Sequence, residues 1–336
     1  MSRPHQTPDQ LVEEAAAGDR VALARLVSIV ERGGEASSEV ARLAYAAAPP
    51  YTVGITGAPG SGKSTLTNEL VRAARRGWPV PGEGGTVEPL AQVGVLAIDP
   101  SSPFSGGAIL GDRVRMQQHA TDPTIFIRSM ATRGHLGGLA LAVPEAVRVL
   151  GAAGFPLVVV ETVGVGQMEV DVASAADTTV VVVTPGWGDS MQASKAGLLE
   201  IADLFVVNKA DRPGVNEARR DLQQMLDLSA PSDWRPPVLT TVASTGEGVD
   251  ELWDVVAVHR AHLSSTGALD RRREARLAQE LRRALTARVL EDVRALGTGD
   301  SFDDAVRAIS EGRLDPYRAA DDLLGVRAVG GSRTSR

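Results

Sequence analysis

Gly57-Ala58-Pro59-Gly60-Ser61-Gly62-Lys63-Ser64 satisfies the pattern G-x-x-x-x-G-K-[ST] at every fixed position. Its flanks decide what that match means. Tyr51 to Thr56 ahead of it is short and rich in β-branched side chains, as a strand is, and Thr65 to Val71 behind it reads as an amphipathic helix. Strand, glycine turn and helix in that order aim successive backbone N–H groups and the positive end of a helix dipole at one point, where a polyphosphate fits. Lys63 would reach the outer phosphates and the Ser64 hydroxyl would hold Mg²⁺ against them. An ordinary glycine-rich turn is the alternative, and the full match in this context argues against it.

Outward from that turn, residues 51 to about 260 alternate apolar strands with helical stretches: Val93–Ile98, Thr124–Ile127, Leu157–Val160, Thr178–Val183, Leu204–Val207 and Val238–Thr241. Such alternation predicts an α/β fold, a mostly parallel P-loop NTPase sheet with helices on both faces and ligands at the carboxyl ends of its strands. Ahead of it, from about Pro8 to Ala48, apolar spacing predicts two or three short helices, with Asp19 able to cap the second and Gly33-Gly34 breaking the run. Gly77 to Gln92, rich in Pro and Gly, reads as a surface loop. Past Gly267 strand signals stop. Arg271 to Leu296 reads as a long charged helix with Leu277, Leu281, Leu285, Val289 and Leu290 in one stripe, and Asp303 to Leu324 supplies at least one helix more. The expected division is an N-terminal helical extension (1–50), a nucleotide-binding domain (51–265) and a C-terminal helical arm with a disordered tail (266–336). Periodicity leaves open whether the arm's stripe docks on its own domain or on a second chain.

The 336 residues carry 42 acidic against 35 basic side chains, a net charge of −7, so no general attraction to nucleic acid or anionic membranes is implied. The absence of cysteine removes disulfides, thiolate metal sites and cysteine nucleophiles together, and leaves the redox compartment open. No signal-peptide core precedes the turn, and apolar runs such as Val180–Val183 are strand-length, so a soluble, cytoplasmic protein with no membrane partner is expected.

The strand ends supply the chemistry. Asn208-Lys209-Ala210-Asp211 follows Leu204–Val207, and a carboxylate at Asp211 can accept both the ring N–H and the exocyclic amine of guanine, where adenine presents an acceptor at the ring position. Asn208 would brace neighbouring loops and the Lys209 stem would lie over the base. Val242-Ala243-Ser244, after a further strand, sits where guanine-binding folds place a backbone amide against the base oxygen. Glu161-Thr162-Val163-Gly164 closes another strand: Glu161 would hold Mg²⁺ through water while Gly164 offers its N–H to the terminal phosphate. A strand-end acid capping a helix near Met168 is the bland alternative. Asp99, after Val93–Ile98, and Asp112 are candidates for binding a metal-bound water or orienting the attacking one, with an N-cap role as alternative. Arg113, Arg115, Arg128 and Arg133 are candidates for stabilising transition-state charge, and His119 and His135 lack metal-ligand spacing.

Taken together, Gly57–Ser64, Asp99-Pro100-Ser101-Ser102, Gly106 to Arg113, Glu161 to Gln167 and Asn208–Asp211 resemble the MeaB/ArgK group of phosphate-loop GTPases, over nearly the whole chain. That resemblance implies a slow GTPase that chaperones methylmalonyl-CoA mutase or a related adenosylcobalamin-dependent acyl-CoA mutase, gating cofactor delivery and protecting the radical enzyme. It implies a homodimer to which the C-terminal arm contributes. It also assigns phosphate binding to Gly57–Ser64 and Thr65, the metal and water to Ser64, Asp99, Asp112 and Glu161, catalysis to Lys63 with those acids, and guanine to Asp211. Two departures stand out: the long Gly77–Gln92 loop, and Val242-Ala243-Ser244 where many members have Ser-Ala and a third residue. A small-molecule kinase on the same loop is the alternative enzyme class, against which guanine selection argues. A metal-insertion GTPase is disfavoured by five histidines and no cysteine, and a signal-recognition GTPase by six scattered methionines.

Overall fold

The computed structural model describes residues 6–79, 90–100, 122–132, 138–162, 175–186, 195–230 and 232–325. Three helices come first: α1 (Pro8–Ala16), α2 (Arg20–Arg32) and α3 (Glu35–Ala44). Thr7 closes a capping box on α1, and Asp19 caps α2 through the amides of Val21 and Ala22 at 2.7 and 3.1 Å.

Seven strands follow: β1 (Tyr51–Gly57), β2 (Val93–Pro100), β3 (Ile125–Thr132), β4 (Leu157–Thr162), β5 (Thr178–Val183), β6 (Leu204–Asn208) and β7 (Val238–Thr241). They form one sheet of order β3-β2-β4-β1-β5-β6-β7, and every pairing is parallel. The parallel α/β sheet expected from the sequence is present, with β3 running further toward its carboxyl end than its apolar signal suggested. Between the strands lie α4 (Lys63–Ala74), α5 (Gly138–Ala152), α6 (Lys195–Ile201), α7 (Val215–Asp227) and α8 (Val249–Ser265).

Side chains alternate through the sheet into separate cores. Val158 and Val160 of β4, with Leu96 and Ile98 of β2, pack under α5 and the three N-terminal helices. Val53 and Ile55 of β1, with Leu157 and Val159, pack under α4 and α8 on the opposite face. Val181 and Val183 of β5 meet α7. The N-terminal helices thus share a core with the sheet. Because β1 is central and the chain reaches β4 on one side and β5 on the other, the crevice at their carboxyl ends is where such a fold binds ligands.

The amino ends of β5 and β6 are fastened by the root of α9 (Ala268–Leu296). Asp177, 1% exposed, accepts the Thr52 amide at 3.0 Å, the Arg273 guanidinium at 2.7 and 3.2 Å, and Arg276. Asp203 takes Arg272 bidentately at 2.8 and 3.0 Å and the Thr179 amide at 2.9 Å. Behind Asp203, the fully buried His259 of α8 bonds Thr178 at 2.8 Å, which in turn meets the Tyr51 hydroxyl at 2.6 Å.

The chain forms two compact units, Met1–Leu277 and Ala278–Arg336. The second holds the rest of α9, α10 (Asp300–Ser310) and α11 (Pro316–Leu323), so the tail of the arm supplies two helices. Asp315 caps α11 through the amides of Tyr317 and Arg318 at 2.9 and 3.0 Å. Leu281, Leu285 and Val289 of α9 are exposed. Among the described residues, no helix is long and apolar enough to cross a membrane.

Candidate functional site

Two glycines show why the turn after β1 needs its composition. Gly57 has φ +136°, and a Cβ there would lie 2.0 Å from the Val182 carbonyl oxygen of the neighbouring strand. Gly62, at φ +91°, starts α4, and its Cβ would come within 2.4 Å of Asn208 Nδ2. Between them the chain wraps around Lys63. That side chain is 5% exposed and folds back so that Nζ donates to the carbonyls of Gly57 and Ala58 at 2.7 and 2.9 Å.

One residue on, Ser64 Oγ donates to Glu161 Oε1 at 2.6 Å, across 97 positions of sequence. Two of the four residues expected around a magnesium ion and its water therefore touch. A hydroxyl and a buried carboxylate are hard oxygen donors of the kind Mg²⁺ takes, its remaining positions going to water and phosphate. Among the described residues no group of three or more His, Cys, Asp or Glu side chains gathers for a metal. Asp99 stands at the carboxyl end of β2 with its backbone opposite Ala131. Asp112 and Gly164 lie outside the described residues, as do Arg113, Arg115, Arg133, His119 and His135. Arg128 is described, and its guanidinium is held by Glu31 and Ser28 of α2 at 2.5 and 2.9 Å, which makes it a tie between β3 and the N-terminal helices.

Asn208 closes the other side. Its amide nitrogen donates to Ser61 O at 2.8 Å, and its carbonyl oxygen accepts from Thr241 Oγ1 and the Ala243 amide, each at 3.1 Å. A single side chain, 1% exposed, thus joins the phosphate-type turn to the loop after β7. Lys209 has φ +59°, unusual without glycine, and its Nζ donates to Gly60 O at 2.6 Å. Asp211 and Ser244 are exposed at the rim. Val242 is held instead, its amide bonded to Glu247 O at 3.0 Å.

Sequence reasoning missed Thr162, whose Oγ1 donates to Thr56 Oγ1 at 3.2 Å, both residues being fully buried. It missed the arginines at the root of α9 as well, which read only as part of a long charged helix. Their partners lie 69 to 99 residues away, and no local spacing signals such a pairing.

The comparisons with known proteins agree with this architecture. Residues 23–298 match the model of the family described as methylmalonyl Co-A mutase-associated GTPase MeaB. A GTPase-named protein of Pyrococcus abyssi is 46% identical over 321 residues, covering 94% of this chain and 95% of that one. GTPase ArgK of Escherichia coli is 34% identical over 313 residues, 89% of this chain and 90% of that one, and the mouse mitochondrial methylmalonic aciduria type A homolog is 32% identical over 340 residues, 94% and 78%. In structure the chain is similar to a LAO/AO transport system kinase, with a TM-score of 0.66 at 27% identity, covering 96% of this chain and 99% of that one. The chain belongs to the MeaB family of phosphate-loop GTPases.

Proposed function

We propose that this GTPase uses its nucleotide state to gate adenosylcobalamin loading into, and protect, an adenosylcobalamin-dependent acyl-CoA mutase, methylmalonyl-CoA mutase or a relative. The family's description as methylmalonyl Co-A mutase-associated supports that client class, and the mouse relative's name, methylmalonic aciduria type A homolog, is in keeping with it. The observation that carries the site reading is Asn208, whose side chain bonds the glycine-rich turn to the loop after β7.

In this reading the amides of Gly57, Ala58, Pro59's successor Gly60, Ser61, Gly62, Lys63, Ser64 and Thr65 cradle the phosphates, and Lys63 leaves its carbonyl partners for phosphate oxygens. Mg²⁺, when bound, neutralises charge on the outer phosphates. Ser64 and Glu161, already in contact, would hold it, with Asp99 and Asp112 around the metal and its waters. Asp211 reads guanine, Lys209 covers the base, and Val242-Ala243-Ser244 faces its oxygen, while Gly164 reports on the terminal phosphate. Residues 1–50 support the sheet, 51–265 bind and cleave the nucleotide, and 266–336 form an arm whose exposed Leu281, Leu285 and Val289 a second copy covers in a homodimer. The compartment is cytoplasmic.

Purified protein should hydrolyse GTP at about one per minute or less, as phosphate-loop GTPases without an activator do. Adding an adenosylcobalamin-dependent mutase should raise that rate and make cofactor transfer depend on GTP. If neither quantity responds to the mutase, the chaperone role is lost and the GTPase remains. Asp211→Asn should weaken the preference for guanine over adenine nucleotides in calorimetry.

A further inference from the structure

We infer that Thr162 is a positioning residue for GTP hydrolysis, one that sets the register of the strand ends that carry the phosphate turn, Glu161 and Asp99; this rests on the GTPase reading above. The argument begins with where pairing ends. The last paired residues of β1 and β4 are Ile55 and Glu161, whereas β4 stays paired with β2 one residue further, at Ile98 opposite Thr162. On its other side, β1 continues along β5 through Thr56 and Gly57, opposite Val181 and Val182. Just past the final rung between β1 and β4, the Thr162 hydroxyl donates to Thr56. A side-chain bond extends the ladder at the level where the functional loops depart.

Thr162 is therefore a node. Its backbone is tied to β2 immediately before Asp99, its side chain to the residue before Gly57, and its peptide neighbour Glu161 to Ser64. Residues 161 and 162 face opposite sides of the sheet, so displacing Thr162 rotates Glu161 against Ser64. Both hydroxyls are fully buried, and removing one leaves the other without this partner in a layer that Val160 and Ile98 make apolar. A bond serving stability alone would lower the melting temperature and leave turnover per folded molecule unchanged. A positioning bond acts on kcat.

The test is single-turnover and steady-state GTP hydrolysis by the full chain with Mg²⁺, beside GTP affinity by calorimetry. Thr162→Val, which keeps shape and removes the hydroxyl, should lower kcat about tenfold and leave KM and GTP affinity within about twofold. Thr162→Ser should stay within about twofold of the wild type, and Thr56→Val should match Thr162→Val because it breaks the same bond from the other side. The double variant should be no slower than the slower single one. Wild-type kcat in either valine variant, or a serine variant as slow as the valine one, overturns the inference, and if Thr162→Val does not fold, Thr56→Val decides. A wild-type protein that takes up no GTP removes the GTPase reading and this inference together; a wild type that binds and cleaves GTP separates the two failures.

Discussion

The two ends of the same parallel sheet use charged side chains in opposite ways. At the amino ends of β5 and β6, Asp177 and Asp203 are matched by the forked guanidinium groups of Arg272, Arg273 and Arg276, and main-chain amides take further oxygens. At the carboxyl ends, glycines with positive φ carry the chain around Lys63, whose ammonium rests on the carbonyls of its own loop. The first arrangement is complete within the chain and serves rigidity. The second holds a cation and main-chain donors on dipoles that an incoming anion can replace, and that is what binding needs.

Breaking the amino end should cost the most. Asp177→Asn removes a buried carboxylate from two part-buried guanidinium groups and should destabilise the fold by about 3 kcal/mol in urea titrations, with nucleotide affinity of the folded fraction unchanged. An equal loss of affinity would show that the two ends are not separable.

Acid probes the same region. Burial pushes the His259 imidazole down to about 4, outweighing the pull of the Asp203 carboxylate, so the folded protein holds it neutral. The unfolded chain binds that proton from about pH 6.5. Stability should therefore fall as pH drops from 6.5 toward 4, by up to about 3 kcal/mol, and the slope should flatten in His259→Gln. Burial alone would raise the carboxyl of Asp177, but Arg273 and Arg276 hold it below its usual value, so its contribution is present above pH 3.8 and lost below it. A wild-type stability curve that stays level between pH 6.5 and 4 would contradict a buried neutral His259.

At the carboxyl end the expected signature reverses. Lys63→Ala should weaken GTP binding on the order of a hundredfold, about 2.7 kcal/mol, while shifting the melting temperature little, since its bonds to the carbonyls of Gly57 and Ala58 stay within its own loop. A large drop in melting temperature would make it structural. The smallest effect is reserved for Arg128→Ala, which should cost about 1 kcal/mol of stability or less and leave hydrolysis unchanged. Slower hydrolysis there would return Arg128 to the catalytic candidates.

Much of this molecule was legible without coordinates. Short apolar, β-branched runs gave the strands and period-3.6 patterning gave the helices, because burial of a strand on both faces or of a helix on one is a local property of the chain. The glycine turn and Asn208-Lys209-Ala210-Asp211 were readable because the chemistry demands fixed residues at fixed spacing. Only the tertiary structure decided which residues meet across the fold. Ser64 reaches Glu161, Asn208 reaches Ser61, Thr162 reaches Thr56, and Arg273 reaches Asp177, each pair about a hundred or more positions apart. Strand order and register bring them together, and a charged helix or a strand-end threonine looks the same in sequence whether it meets solvent or a buried partner.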